Sequence, residues 1–239
     1  MMKPVRTVCV VSDLHMFCRR SQWQDVIDMI RKAAAGVDLF VFNGDTFDFK
    51  WTMLRSVEET VEHAIAFLRE LAASCPHTRI HVNLGNHDHV QAFIHALDAL
   101  TRETPNLTWH PYYLRVGNTM FLHGDVAQRK MRHHQLERYR AGWLHRRKQG
   151  QWKNRVYDAL LEAGAHVTVS RLAFPRRRTA RLLAAYLRDI GHGPHDGVEQ
   201  VCFGHTHVRM SAYEYRGLTF HNGGAPFRGM DFHLIHVEV

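Results

Sequence analysis

The chain has 239 residues, 45% of them hydrophobic and 23% charged, the make-up of a globular protein long enough to bury a sizeable core. No apolar run approaches the ~20 residues that span a bilayer, and Thr7–Val11 is too short for a signal-peptide core, so a cytoplasmic protein is expected, at most peripheral at the inner face of a membrane. The formal net charge of +8 is concentrated: residues 126–196 hold 16 Lys+Arg and 5 Asp+Glu, a net +11, against 15 and 18, a net −3, in the remainder.

A segment of that charge is either a solvated helical face or a surface for an anionic partner: nucleic acid, anionic lipid or a phosphorylated substrate. The four cysteines, Cys9, Cys18, Cys75 and Cys202, lack C-x-x-C spacing, so neither a disulfide framework nor a thiolate metal site is expected.

In chain order, Val8–Val11 reads as a strand buried on both faces. Ser21 is expected to cap a helix to Ala35 with Trp23, Val26, Ile27 and Ile30 on its apolar face. Leu39–Phe42 is the next strand, residues 57–73 a helix, Ile80–Leu84 a third strand and Val90–Leu100 another helix. That βαβαβα order predicts a layered α/β domain. Short strands follow at Leu107–Trp109, Tyr112–Val116 and Thr119–Leu122, with Gly117-Asn118 as a hairpin turn. Residues 127–191 read as a basic helical insertion. Strands return at Gln200–Phe203, Arg209–Tyr215, Leu218–His221 and Phe232–Val237. The expected fold is α/β: a two-sheet β-sandwich flanked by helices, one domain over 1–239 with the insertion at about 127–191.

Each main strand runs into polar residues. Val8–Val11 leads to Ser12-Asp13-Leu14-His15, and Leu39–Phe42 to Asn43-Gly44-Asp45-Thr46-Phe47-Asp48. Ile80–Leu84 leads to Gly85-Asn86-His87-Asp88, Met120–Leu122 to His123-Gly124-Asp125, and Val201–Phe203 to Gly204-His205-Thr206-His207. Loops at the carboxyl ends of strands are where open α/β sheets place ligands. Carboxylate, imidazole and amide oxygen together suit Mn, Fe, Zn, Co or Ni. One H-x-H among 20 histidines means little; five such clusters, each after an apolar strand, point to one site.

The ordered set D-x-H, G-D-x-x-D, G-N-H-D, H-G-D and G-H-T-H resembles the calcineurin-like metallophosphoesterase superfamily. The resemblance implies two divalent metal ions, manganese first among the candidates. Asp13, His15 and His207 would bind one ion; Asn86, His123 and His205 would bind the other; Asp45 would bridge both. It further implies that Asp48 and Asp88 support the ligands from behind, as a carboxylate that orients an imidazole does, and that His87 faces the substrate phosphate as a general acid. Hydroxide held by the metals would be the nucleophile.

Within the superfamily the chain looks most like the UDP-2,3-diacylglucosamine pyrophosphatases of lipid A synthesis, in length, in the helical segment after H-G-D and in the late G-H-T-H. Many of those enzymes carry Arg where this chain has His87, and the segment Phe49-Lys50-Trp51 matches loosely. In that family the insertion helps to form an acyl-chain cleft, so the partner would be a lipid-linked phosphorylated substrate. Arg129, Arg132 and Arg176–Arg178 would contact phosphate or an anionic membrane. Competing expectations are a phosphodiesterase acting on nucleotides or glycerophosphodiesters, a nuclease using Tyr139, Trp143, Trp152 and Tyr157 on nucleic acid, and a non-catalytic scaffold of the same fold.

Overall fold

A computed structural model describes residues 5–145, 148 and 170–239 of the chain. Two five-stranded sheets pack face to face with helices on their outer sides. The first sheet orders its strands β10-β1-β2-β3-β4, with β1 (Thr7–Val11), β2 (Leu39–Asn43), β3 (Arg79–Asn83) and β4 (Leu107–His110) parallel and β10 (Ile235–Glu238) antiparallel to β1. The second runs β5-β6-β7-β9-β8, formed by β5 (Tyr113–Val116), β6 (Thr119–Leu122), β7 (Gln200–Phe203), β8 (Met210–Tyr215) and β9 (Leu218–Asn222). In it, β6, β7 and β9 are parallel, while β5 and β8 close the edges antiparallel.

Strand alternation builds the layers. Cys9, Val11, Phe40 and Phe42 face outward and pack under helices α1 (Trp23–Ala35), α2 (Val57–Ser74) and α3 (Gln91–Glu103). Their neighbours Val8, Val10, Leu39 and Val41 face the second sheet and meet Phe121 and Cys202 in the seam. On the far side Met120, Leu122, Val201 and Phe203 pack beneath α4 (His133–Ala141) and α5 (Arg176–Asp189). A strand with both faces buried needs an unbroken apolar run, which is why these strands read as continuous rather than alternating.

One local expectation changes. Ser21 does not cap α1: its hydroxyl donates to the Leu14 carbonyl, and α1 starts after Gln22 without a side-chain cap. By contrast, Ser56 does cap α2, accepting from the Glu59 amide at 3.1 Å. Within the segment expected as a helical insertion at 127–191, residues 176–189 form helix α5. Helix α5 buries Ala180, Leu183, Ala184, Tyr186 and Leu187 against the second sheet, so its arginines share a helix with a core-forming apolar face. Residues 146–147 and 149–169, including Trp152 and Tyr157, lie outside the described residues. Among the described residues, no helix is long and apolar enough to cross a membrane.

Two buried asparagines tie the sheets together where the polar loops begin. Asn43 Nδ2 donates to the Leu122 and Cys202 carbonyls, both at 3.0 Å. Asn83 Nδ2 donates to Asn43 Oδ1 at 2.8 Å and to the Phe121 carbonyl at 3.0 Å. An amide buried in an apolar seam is tolerated only when so bonded. These bonds fix the ends of β2, β3, β6 and β7 relative to one another, and the five polar loops converge there.

Candidate metal centre

The loops after β1, β2, β3, β6 and β7 bring their acidic and imidazole side chains into one buried cluster. Donor atoms of Asp13, His15 and His207 lie within 4.8 Å of one another, as do those of Asp45, His123 and His205. His15 Nε2 is 3.2 Å from His207 Nε2, and His207 Nε2 is 3.4 Å from Asp13 Oδ1. In the other group His123 Nε2 is 3.2 Å from Asp45 Oδ2 and 3.3 Å from His205 Nδ1. Asp45 Oδ2 lies between the groups, 3.7 Å from His15 Nε2. Ligands each about 2.1 Å from a shared ion stand roughly 3.0–3.4 Å apart at octahedral to tetrahedral angles. The close pairs match that spacing.

The backbone is shaped for this cluster. Asp13, His15, Asp45, His205 and His207 all have left-handed φ, between 44° and 66°. That region is sparsely populated by L-residues and costs on the order of 1 kcal/mol or more each, a strain that gathers at functional sites. The glycines have a specific reason. A Cβ at Gly85 would run into Asp45 Oδ1, and one at Gly204 into Asp13 Oδ2, so each leaves room for a ligand from another loop.

The surrounding polar groups suit cations. Asn86 Oδ1 is buried with no hydrogen-bond donor, an acceptor that costs about 1–3 kcal/mol to leave unpaired. Asp48 Oδ2 lies 3.2 Å from His15 Nδ1, which fixes the proton on Nδ1 and leaves Nε2 facing Asp13, Asp45 and His207. The Asp48 oxygen Oδ1 accepts the Lys50 and Trp51 amides at 3.1 and 2.8 Å. Asp88 makes no imidazole hydrogen bond among the described residues; it accepts the amides of Asp45, Thr46 and Gly85 at 3.1, 2.9 and 2.7 Å, locking the G-D and G-N loops together.

Electrostatics follow burial and these pairings. Burial alone would raise the Asp45 carboxyl, but His123, His87 and His15 hold it well below its usual range, and the His207 contact lowers Asp13 likewise. Burial pushes His205 down to about 4, so it stands neutral with a free lone pair. Burial also opposes charge on His123 and His87, yet nearby carboxylates win. Asp45 and Asp125 raise His123 to about 10; Asp48 and Asp45 raise His87 to about 9.

His87 sits at the rim. Its Nδ1 is 3.1 Å from Asp48 Oδ2, an ion-pair contact without hydrogen-bond alignment. Its ring packs against His15 and Trp143, with centroids 4.8 and 5.1 Å away. It also groups with His15 and Asp45 as a third set of close donors. A cavity of about 380 Å³ above the cluster is lined by His15, Asp48, His87 and His207 with Arg20, Lys50, Trp51 and Phe227.

Several residues that shape the site carried no legible signal. Arg140, in α4, is 1% exposed and pairs with Asp125, Nε to Oδ1 at 3.0 Å and Nη2 to Oδ2 at 2.5 Å. Its Nη1 also donates to the Leu84 and Gly85 carbonyls at 2.8 Å, bracing the G-N-H-D loop against the H-G-D loop. In sequence it is one more cation in a basic run. Of the surface arginines proposed for phosphate or membrane, Arg132 reaches Asp189 and Arg178 donates to the Ala127 and Gln128 carbonyls. Trp143 is buried against His87, and Tyr139 is half-buried against the second core, so neither stands out as an exposed stacking platform.

No sequence among the curated proteins matches the chain. Solved structures similar to it include one at 11% identity and TM-score 0.48, covering 98% of this chain and 95% of the other. Another is a conserved uncharacterized protein from Streptococcus pneumoniae TIGR4, described as a predicted phosphoesterase, at 14% identity and TM-score 0.39, covering 99% and 84%. The family model for calcineurin-like phosphoesterases matches residues 6–209, so the chain belongs to that family and is a metal-dependent phosphoesterase.

Proposed function

We propose that the chain hydrolyses phosphodiester or pyrophosphate bonds at a dinuclear centre. Asp13, His15 and His207 would hold one ion, Asn86, His123 and His205 the other, and Asp45 would serve both. The observation that carries this reading is Asp45 Oδ2 lying between two sets of buried imidazole nitrogens. Two divalent cations, manganese first among them, supply charge that polarises a phosphoryl group and acidifies water toward neutral pH.

The chain's own residues do the rest. His15 keeps its Nδ1 proton through Asp48, and Asp88 holds the two loops that carry Asp45 and Asn86. His87, whose Nδ1 is 3.1 Å from Asp48 Oδ2, would donate a proton to the oxygen that leaves. Lys50, whose Nζ is 4.7 Å from the Trp51 ring, and Arg20, 4.8 Å from that ring, set cations on the cavity wall. Both offer an anionic substrate favourable contacts.

A narrower reading, cleavage of the pyrophosphate of UDP-2,3-diacylglucosamine, rests on motif order and the segment after H-G-D. Much of the segment that would form its acyl-chain cleft lies outside the described residues. The test of the broader reading is chelation. Protein stripped of divalent ions should not hydrolyse bis(p-nitrophenyl) phosphate, and added Mn²⁺ should restore the reaction. Full activity of the stripped protein would overturn the proposal.

A further inference from the structure

We infer that the cavity beside His207 is a second anion site, which holds a phosphate of the substrate other than the one being cleaved. The inference rests on the hydrolase reading above and narrows its substrate to compounds with at least two phosphate groups. This cavity, about 590 Å³, shares His207 and Met230 with the smaller cavity over the metal centre. The two cavities therefore adjoin at His207 and Met230.

The walls identify the chemistry. Arg171, Arg176 and Arg209 line the cavity, and Asp231 is the acidic residue among them. The three arginines come from separate places: the turn before Pro175, the first residue of α5, and the chain leaving the G-H-T-H loop. Among the described residues, none of the three lies within ion-pair distance of a carboxylate. Three other arginines of the basic segment are engaged: Arg140 pairs with Asp125, Arg132 with Asp189, and Arg178 binds two carbonyls. Guanidinium groups around one cavity repel each other, and a bound anion relieves that repulsion. Their planar forks match phosphate oxygens two at a time. The first turn of α5 carries no acidic residue, so its positive end adds to the same field. Phe174, on the same wall, packs 6.1 Å from the His205 ring, which ties the wall to the metal cluster.

The second phosphate could adjoin the first, as in a pyrophosphate, or stand several bonds away, as along a nucleotide chain. Alkane bisphosphonates with one to five methylenes distinguish these, because their P–C bonds resist hydrolysis. Calorimetry on the Mn²⁺-loaded full chain would compare each with the alkyl monophosphonate of equal length. We expect one linker length to bind about tenfold tighter than its monophosphonate, as one or two charged hydrogen bonds allow. A one-methylene optimum indicates adjacent phosphates; a longer optimum indicates spaced ones.

R171A/R176A/R209A should lose that gain and keep its monophosphonate affinity. R181A/R188A/R216A removes the same charge from arginines outside this cavity and should keep the gain. The single variants give the same comparison where the triple does not fold. The inference is overturned if no length gains more than roughly twofold in the parent, if the first variant keeps the gain, or if both variants lose it equally. Monophosphonate binding that ignores the metal ions would instead count against the hydrolase reading, leaving the bisphosphonate comparison intact.

Discussion

Replacing Arg140 by Met takes the cation from a buried pair while keeping much of the side chain's apolar length. Arg140 and Asp125 are each 1% exposed and joined by two hydrogen bonds of 3.0 and 2.5 Å. The Leu84 and Gly85 carbonyls lose their 2.8 Å donor in the same step. Breaking a buried ion pair by removing one partner costs about 3–5 kcal/mol, because the other charge stays behind without compensation. A domain typically has only about 5–15 kcal/mol of stability, so the urea midpoint should fall steeply.

The pH dependence separates this mechanism from lost packing. Burial alone would raise the Asp125 carboxyl, but Arg140, ahead of His123, holds it at about 2. A carboxylate depressed in the folded state contributes stability that is fully present above its unfolded pKa of about 3.9. That contribution disappears as pH falls through about 2. The gap between parent and R140M should therefore be widest near neutrality and narrow in acid. D125N/R140M should recover part of the loss, because no charge then remains buried. Equal urea midpoints for parent and R140M at neutral pH, or a gap that does not change with pH, would refute the reasoning.

Other expectations follow from single observations. Gly85→Ala puts a methyl group into the space of the Asp45 carboxylate, so it should cost about 1–3 kcal/mol and lower metal content; urea unfolding with elemental analysis checks both. His87→Asn should reduce kcat by roughly 10²–10⁴-fold with metal content unchanged, whereas loss of an ion would make His87 a ligand with His15 and Asp45. Burial, with His110 2.8 Å away, lowers His81 to about 4, so the folded state favours its neutral form. The associated stability is present above the unfolded pKa of about 6.5 and is lost as pH falls toward 4, on the order of 1 kcal/mol after solvent screening. His81→Gln should flatten that part of a stability-versus-pH curve; an unchanged slope would contradict the assignment.

The architecture was legible where one physical rule governed many residues. Strands covered on both faces need consecutive apolar residues, so Val8–Val11, Leu39–Phe42 and Val201–Phe203 announced themselves. The loops after them were legible because carboxylate and imidazole recur at the same place in each. What the sequence concealed was contact at long range. Nothing near Asn43 or Asn83 shows that their amides reach across to β6 and β7, and Ser21 has the composition of a cap but bonds elsewhere. Arg140 and Arg176 sit in the same basic run, yet one is buried in an ion pair and the other lines a cavity. Helical phase alone did not separate them, because the partner Asp125 and the wall residue Arg209 come from distant loops. The motif glycines are plain in the sequence, but which ligand each one admits is clear only from the packing.

Seven residues from five loops, Asp13, His15, Asp45, Asn86, His123, His205 and His207, would hold two ions joined by the Asp45 carboxylate. The most direct measurement is anomalous diffraction from crystals of Mn²⁺-loaded protein, paired with elemental analysis of the same sample. The account predicts two ions per chain, about 3.5–4 Å apart, with Asp45 contacting both and Asn86 Oδ1 on the ion that His123 and His205 share. A single ion, or two ions with Asp45 bound to neither, would contradict it.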